Sequence, residues 1–124
     1  MKIATCSMGN ELSSLCDERF GRCETFVVFD TETKGSFAID NEAKNEGAGA
    51  GGKAVKILFN KGIDILIAPE LGPKAMEAIK AFELETYRAL PNISVEEQIS
   101  KIHLLQFLVF LWSHHYNLLG FYSL

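Results

Sequence analysis

The chain contains the run Gly47-Ala48-Gly49-Ala50-Gly51-Gly52, in which no side chain is larger than a methyl group. The residues from Lys53 to Lys61 carry apolar side chains at helical spacing, and Gly62 then gives a stop signal, so we predict a helix there. The first N–H groups of a helix have no partner within it, and they lie at the positive end of its dipole. The glycine run and the helix start therefore predict a cradle for an anion.

The sequence before this run predicts three strands. Lys2 to Cys6 predicts the first, and the residues from Leu12 to Arg22 predict an irregular loop. Thr25–Asp30 and Ser36–Asp40 are rich in residues that favour strands, and the short polar segment between them predicts an antiparallel hairpin.

The sequence after the run predicts alternating strands and helices. Ile63 to Ala68 is almost continuously apolar, as in a strand covered on both faces, which suggests a parallel crossover. A second helix is expected from the first-turn Pro73 through Phe82, followed by a last strand from Leu84 to Ala89. Ser94 and Glu97 have the spacing of a capping box, which predicts a third helix through Ile99. Together these elements predict one α/β domain over residues 1–101.

The composition argues against several classes of protein. A chain of 124 residues is about the length of one domain, and a net charge of -4 does not favour a general nucleic-acid binder. The amino terminus lacks the apolar region of a secretory signal, so we expect a cytoplasmic protein. In that reducing compartment the three cysteines are expected to be thiols and not disulfides.

The cysteines are candidate metal ligands. Cys6, Cys16 and Cys23 have spacings that fit neither a zinc knuckle nor a redox C-x-x-C motif. They can still converge in space, because Cys6 ends a predicted strand and the other two lie in the following loop. Thiolates suit soft metals and iron–sulfur species, whereas a small buried apolar role is the alternative for each.

Two arginines lie close to the third cysteine. Arg19 and Arg22 flank the break at Phe20-Gly21, and two guanidinium groups can bind an anionic ligand in a bidentate manner. The alternative is that both are solvated surface residues.

The glycine run also has the formal pattern of a dinucleotide-binding loop. Gly47, Gly49 and Gly52 match G-x-G-x-x-G, and Glu70 lies at the end of the next strand, where a ribose-binding acid is expected. Such a loop normally follows a strand directly, whereas Asn41 to Glu46 intervenes here. A glycine loop that only lets a helix start close to the sheet therefore remains an alternative.

Residues 102–124 form an atypical apolar tail without formal charge. Its apolar run from Leu104 to Trp112 is shorter than the roughly 20 residues that a membrane helix needs. Three explanations remain open: a longer third helix that packs on the domain or on a second subunit, a membrane anchor, or a reading-frame change near Lys101. The tail histidines (His103, His114 and His115) have no cysteine or carboxylate near them in sequence and are not predicted to be ligands.

Several short motifs follow one another along residues 1–101: Phe20-Gly21-Arg22 with Phe26, Asp40-Asn41-Glu42, Gly49-Ala50-Gly51-Gly52, Gly62-Ile63-Asp64, Ile67-Ala68, Leu71-Gly72-Pro73-Lys74-Ala75, Tyr87 and Ser94-Val95-Glu96-Glu97. Taken together, they resemble the dinitrogenase iron–molybdenum cofactor-binding family, which includes NifX and NafY type proteins and the carboxy-terminal part of NifB. The resemblance implies a ribonuclease H-like α/β fold with a mixed five-stranded sheet and helices on both faces, without nuclease activity. It also implies a role in carrying or assembling an anionic metal–sulfur cluster.

This chain departs from the family at two positions. The family often has histidine where this chain has Arg19, and another ahead of the glycine run, where this chain has Asn45-Glu46. We infer that the three cysteines substitute for these histidines as cluster ligands.

The expected function is therefore a small non-enzymatic binding or carrier protein for an iron– or molybdenum–sulfur cluster, acting with cluster-assembly proteins. The backbone amides of Gly49, Gly51 and Gly52 and the guanidinium groups of Arg19 and Arg22 would hold the negative charge. A nuclease is not expected, because Lys2 to Cys6 carries no acid for a metal. The alternatives are a nucleotide-binding regulatory domain that uses the same loop, and an interaction module that forms homo-oligomers through the apolar tail.

Overall fold

Five strands form one mixed sheet in the computed structural model, which describes residues 1–102. The strands are β1 (Lys2–Ser7), β2 (Thr25–Asp30), β3 (Ser36–Asp40), β4 (Ile65–Ala68) and β5 (Glu85–Arg88). Their order across the sheet is β3-β2-β1-β4-β5. β2 is antiparallel to β1 and β3, which confirms the hairpin, and β4 is parallel to β1 and β5, which confirms the parallel crossover.

The described helices cover both faces of this sheet. They are α1 (Ala50–Asn60), α2 (Pro73–Phe82), α3 (residues 95–102) and a short 3-10 helix (Glu42–Asn45). α1 and α2 pack on one face through Val55, Leu58 and Ile79, whereas α3 packs on the other through Val95 and Ile99. The mixed five-stranded sheet with helices on both faces is therefore as predicted.

Alternation along the central strands separates the two cores. In β1, Ala4 and Cys6 face α1, and Ile3 faces α3. In β4, Leu66 faces α1, whereas Ile65 faces α3. Successive side chains of a strand point to opposite faces, so a strand covered on both faces must be apolar at nearly every position.

The first helix begins earlier than predicted. We expected it at Lys53, but α1 begins at Ala50, so Gly51 and Gly52 belong to its first turn. The reason is Gly49, whose φ of 79° places the N-cap in the left-handed region that glycine adopts without strain. The second half of the glycine run thus forms the start of the helix, and only Gly47 to Gly49 precede it.

Other predicted bounds also change, and β5 is one residue shorter at each end than the predicted Leu84 to Ala89. β4 begins at Ile65 and not at Ile63. Gly62 has a φ of 75°, which turns the chain, and the Asp64 carboxylate accepts a hydrogen bond from the Lys2 amide at 2.8 Å, beside the start of β1. The 3-10 helix Glu42–Asn45 was not predicted at all. The irregular loop before β2 is present, and Cys16 forms an isolated bridge with Ser7 within it.

The predicted cap of α3 is present. The Ser94 hydroxyl accepts a hydrogen bond from the Glu97 amide at 3.2 Å. α3 continues beyond the predicted Ile99 to residue 102, which is the last one described. The predicted tail begins at Ile102, which still belongs to α3 and is buried, and the rest of it, including its three histidines, lies outside the described residues. Within residues 1–102, none of the helices is long and apolar enough to span a membrane.

Replacement of Ser94 by alanine should destabilise the protein. Loss of a serine N-cap leaves the Glu97 amide without its acceptor, and we expect the free energy of unfolding to fall by about 1 kcal/mol. Urea denaturation would measure this change. The matched control is Ser100→Ala on an exposed position of the same helix, which should stay within about 0.5 kcal/mol of the parent protein. Equal effects of the two substitutions would contradict the capping role.

Candidate anion-binding site

Two helix starts meet at one edge of the sheet. α2 directly follows β4, so its first turn lies at the carboxyl end of the parallel strands. The first turn of α1 lies beside it, since a Cβ atom built on Gly51 would come within 3.0 Å of the Ala75 Cβ. The carboxyl edge of parallel strands is where open α/β sheets bind ligands. We call the two first turns, Gly49–Lys53 and Gly72–Ala75, the amide cradle.

The close approach of three backbone segments requires glycine at two places in this edge. A Cβ atom on Gly21 would lie 2.7 Å from the Gly51 nitrogen and 2.9 Å from the Ala50 carbonyl carbon. Gly51 in turn leaves room for Ala75. The loop before β2 is therefore packed on the start of α1 backbone against backbone, and the start of α1 is packed on the Ala75 methyl group of α2. The motif Phe20-Gly21-Arg22 alone did not reveal this packing.

Backbone amides in both first turns have no acceptor within the described residues. The first bond within α1 runs from the Lys53 amide to the Gly49 carbonyl, and the first within α2 from the Met76 amide to the Gly72 carbonyl. No hydrogen bond involves the preceding helical amides in the described part of the chain. Such N–H groups, each at the positive end of a helix dipole, favour a negatively charged partner.

Lysine side chains add to this positive potential. Neither helix has an acidic residue in its first turn, where acids normally stabilise a helix. The first turns instead carry Lys53 and Lys74. Lys74 is exposed and has no ion-pair partner among the described residues. Lys53 pairs with Glu46, but Lys74 is a positive side chain at the positive end of α2, which is unfavourable unless an anion binds there, so this arrangement fits an anion site.

Arg22 holds the segment that enters the cradle. Its guanidinium group donates hydrogen bonds to the carbonyl oxygens of Lys44, Glu46 and Gly47, at 3.0, 2.6 and 2.7 Å. The side chain that we predicted as a ligand contact therefore binds backbone carbonyls in this structure. Its contribution to the site is to fix the chain just before Gly49.

Asn41 connects the same segment to the loop before β2. Its side chain is fully buried, and its amide nitrogen donates to the carbonyl oxygens of Gly21 and Cys23, at 3.0 and 2.9 Å. Its side-chain oxygen accepts a hydrogen bond from the Ala43 amide at 3.1 Å, which caps the 3-10 helix. A single side chain thus fixes both chain segments that lead into the cradle.

Arg19 lies outside the amide cradle. Its guanidinium group forms a bidentate pair with the buried carboxylate of Asp17, with N–O distances of 3.1 and 3.0 Å. This partner raises the pKa of Arg19. Both predicted arginines therefore have partners within the protein.

The three cysteines do not share one side of the sheet. Cys6 and Cys23 lie in the core under α1, whereas Cys16 packs beside the core under α3. Burial raises the pKa of Cys6 well above its usual value, and contact with the Cys23 thiol raises it further. Burial also raises the pKa of Cys16. The described residues contain no cluster of three or more His, Cys, Asp or Glu side chains arranged to hold a metal ion. Two of the three predicted ligands are brought together.

A salt bridge lies at the mouth of the cradle. The Lys53 ammonium group lies 2.6 Å from a carboxylate oxygen of Glu46. This contact lowers the pKa of Glu46 below its ordinary value of 4.5 and raises the pKa of Lys53. Because the folded-state pKa of Glu46 is lowered, the pair stabilises the protein above pH 4.5, and that stabilisation is lost as the pH falls through the lowered pKa.

Replacement of Lys53 by methionine should raise the pKa of Glu46 toward 4.5, because the neighbouring positive charge is removed. Carbon-detected NMR titration of the side-chain carboxyl group would measure the change. Lys56→Met, on an exposed position of the same helix, is the matched control and should leave the Glu46 pKa in place. An unchanged Glu46 pKa in Lys53→Met would rule out this pairing in solution.

The sequence identified part of this site. It predicted the glycines at the start of α1 as site residues and the start of α2 at Pro73 as a helix start, but it did not assign α2 or the lysines of either first turn to the site. The available signal was Lys74 directly after Gly72-Pro73, since a lysine in the first turn opposes the helix dipole. The role of Asn41 had no such signal, because its acceptors lie 20 and 18 residues away.

Comparison with known proteins adds independent information. Residues 1–104 match the sequence profile of the family described as dinitrogenase iron-molybdenum cofactor. An uncharacterized protein from Methanocaldococcus jannaschii is 34% identical over 102 residues, which are 80% of this chain and 82% of that protein.

Two solved structures share the fold. The apo form of the orange protein from Desulfovibrio gigas superposes with a TM-score of 0.77 and 28% identity, over 98% of this chain and 96% of that chain. A putative NifB protein from Thermotoga superposes with a TM-score of 0.71 and 34% identity, over 83% of this chain and 87% of that chain. The matched residues of the sequence profile include both first turns of the amide cradle.

Proposed function

Since the chain belongs to the dinitrogenase iron-molybdenum cofactor family, we propose that it binds and carries an anionic metal–sulfur cluster that contains iron or molybdenum. The cluster is cargo in this proposal, and the protein does not transform it. The family description names a cofactor. The putative NifB protein from Thermotoga has the same fold.

The observation that carries the proposal is the pairing of two helix starts whose first turns contain no acidic residue, with only Lys53 paired, to Glu46. Free amides from α1 and α2 converge where Gly51 contacts Ala75, and Lys74 adds an exposed positive charge. The whole chain has a net charge of -4, so this local positive potential is not a property of the surface in general. A side chain larger than hydrogen at Gly51 would fill the junction.

Each part of the cradle has a distinct task in this proposal. The amides of Gly49, Gly51 and Gly52 and the Lys74 ammonium group bind the sulfur atoms that carry the negative charge. Arg22 and Asn41 position the segment that precedes them. Arg19 stays a proposed cofactor contact outside the cradle, where Asp17 orients its guanidinium group and offsets its charge.

Thiolate ligation by Cys6, Cys16 and Cys23 remains a second part of the proposal. Cys16 is the most accessible of the three, whereas Cys6 and Cys23 are buried and need local opening of the loop before β2 to reach a metal. A variant with all three cysteines replaced by serine separates the two modes of binding. Full loading of this variant would assign the cargo to amides and lysine alone, and loss of loading would assign it to the thiols.

Anaerobic reconstitution tests the function directly. The purified protein is incubated with tetrathiomolybdate, or with ferrous iron and sulfide, and is then desalted for metal analysis and visible absorption. We expect Lys74→Glu to lower the affinity at least about tenfold, because the substitution reverses a charge beside the bound anion. Lys80→Glu, in the last turn of the same helix, is the matched control and should bind as the parent protein does. Protein that stays colourless and metal-free under both conditions would overturn the proposal.

Two further measurements distinguish the alternatives. A rise in Tm with a nucleotide but not with the sulfur anions, lost in Gly51→Val, would favour a nucleotide-binding regulatory domain. Truncation after Lys101 that changes the oligomeric state without changing cluster loading would favour an interaction module formed by residues 102–124, next to a separate domain of residues 1–101.

Three further assignments belong to this proposal. We assign the fold as ribonuclease H-like, which the family resemblance implies and the mixed five-stranded sheet supports. We assign a non-enzymatic role in cluster assembly, which is supported by a family description that names a cofactor and not a reaction. We assign the protein to the cytoplasm, where clusters of this kind can be transferred between proteins.

A further inference from the structure

A surface groove lies at the carboxyl end of β4 and β5, on the α3 side of the cradle. It consists of two adjoining cavities of about 340 and 330 Å³. Both are lined by the segment from Cys16 to Glu18 and by Asn92, so they form one continuous surface. We call this surface the strand-end groove.

Apolar side chains project from the walls of this groove. Met8 and Leu15 line one cavity and Leu90 lines the other, with 60%, 56% and 47% of their surfaces exposed. The backbone that presents them is held in place: the Met8 amide donates to the Leu15 carbonyl at 2.9 Å, and the Leu90 amide donates to the Gln98 side chain at 3.2 Å. These side chains are therefore exposed on ordered backbone, which is typical of a contact surface.

The charged groove side chains that have no partner among the described residues are acidic. Asp17 is neutralised by Arg19, and Arg88 interacts within the protein. Glu18 and Glu70 are exposed, and neither carboxylate has a hydrogen-bond or ion-pair partner among the described residues. An occupant that complements this groove must combine apolar side chains with positive charges.

We propose that the strand-end groove is a docking site for an apolar and basic segment of a partner protein. Leu15 and Leu90 contact the apolar side chains of that segment, and Glu18 and Glu70 pair with its lysine or arginine residues. The apolar contacts supply most of the affinity, whereas the carboxylates supply orientation and speed of association.

The position of the groove links it to the cradle. Residues 16–19 line the groove, and Gly21, a few residues later, contacts the start of α1. Pro69 and Glu70 line the groove, and Gly72 begins the cradle turn of α2. A docked partner would thus stand beside the cargo and could donate or receive it, and this last step rests on the proposed function.

The test uses the apoprotein and two synthetic amphipathic peptides, one of leucine and lysine and one of leucine and glutamate. Fluorescence anisotropy measures affinity, and amide chemical shifts in NMR spectra locate the contact. We expect the lysine peptide to bind at least about tenfold more tightly than the glutamate peptide, with shifts at residues 15–18, 70 and 90–92, and to bind more weakly as salt is raised.

Paired variants identify the contacts. Leu15→Ser combined with Leu90→Ser should weaken binding of the lysine peptide about tenfold. Glu18→Gln combined with Glu70→Gln should weaken it about two- to fivefold per carboxylate and reduce the salt dependence. Phe37→Ser and Glu77→Gln, at exposed positions away from the groove, are the matched controls and should bind as the parent protein does. Because all of these side chains are exposed, each variant should keep the Tm of the parent protein.

Three results would overturn the proposal: equal binding of the two peptides, shifts confined to another surface, or a concentration-dependent dimer that the Leu15 and Leu90 substitutions abolish. The last result would make a second copy of this chain the occupant. Cluster loading of the same variants separates the two proposals. A parent protein that loads the cluster but fails to distinguish the peptides would overturn docking alone, and a parent protein that distinguishes the peptides but fails to load would overturn the carrier function alone.

Discussion

Replacement of Asn41 by leucine is expected to lower the free energy of unfolding by about 3 to 5 kcal/mol. The leucine side chain has a similar volume but can make none of the three backbone hydrogen bonds of Asn41. The Gly21 and Cys23 carbonyl oxygens and the Ala43 amide would then lack partners in a buried or half-buried site. Each such group costs about 1 to 3 kcal/mol, and natural domains have only about 5 to 15 kcal/mol in total.

Urea denaturation of Asn41→Leu measures this loss, and Asn60→Leu on an exposed helix position is the matched control. The control should change stability by less than about 1 kcal/mol. The NMR signals of Gly21 and Ala43 should shift in the Asn41 variant even under conditions where the protein is folded. A stability loss no greater than that of the control would show that the three hydrogen bonds do not support the fold in solution.

Gly21→Ala is expected to cost about 2 to 3 kcal/mol and to lower Tm by about 10 °C. The added methyl group would lie 2.7 and 2.9 Å from backbone atoms of Gly51 and Ala50, and backbone atoms cannot move aside as a flexible side chain can. Either the loop before β2 or the first turn of α1 must shift. We therefore expect weaker cluster binding in addition to lower stability.

Gly47→Ala is the matched control for this substitution. A Cβ atom on Gly47 would meet nothing within 4 Å, so the variant should stay within about 0.5 kcal/mol of the parent protein. Thermal unfolding followed by circular dichroism would compare the two variants. If Gly21→Ala unfolds at the temperature of Gly47→Ala, the backbone contact between the loop and α1 is not as close as the structure has it.

The sequence was sufficient for most of the sheet, because the relevant signals are local. Thr25–Asp30 and Ser36–Asp40 are rich in side chains that favour strands, and the structure has β2 and β3 at those residues. The almost unbroken apolar run before Pro69 indicated a strand covered on both faces, and β4 is buried at every position. The capping box likewise depends on residues only three apart.

The details of the site were less predictable because they depend on contacts between distant residues. Arg22 looked like a free guanidinium group in the sequence, but its acceptors are backbone carbonyls more than 20 residues further along the chain. The cysteines looked able to converge, but Cys16 returns beside Ser7 on the other side of the sheet from Cys6. Spacing in sequence does not determine to which face a loop residue returns.

The three hydrogen bonds of Arg22 also determine how easily the segment before Gly49 opens to solvent. They are made by an exposed side chain, so they can break without disturbing the cores on either face of the sheet. Local opening of the segment before Gly49 should therefore need far less free energy than global unfolding, and amide hydrogen exchange there should be fast compared with β1 and β4. A carrier must release its cargo as well as hold it. Under the proposed carrier function, release would proceed through a small, reversible opening while the sheet stays intact.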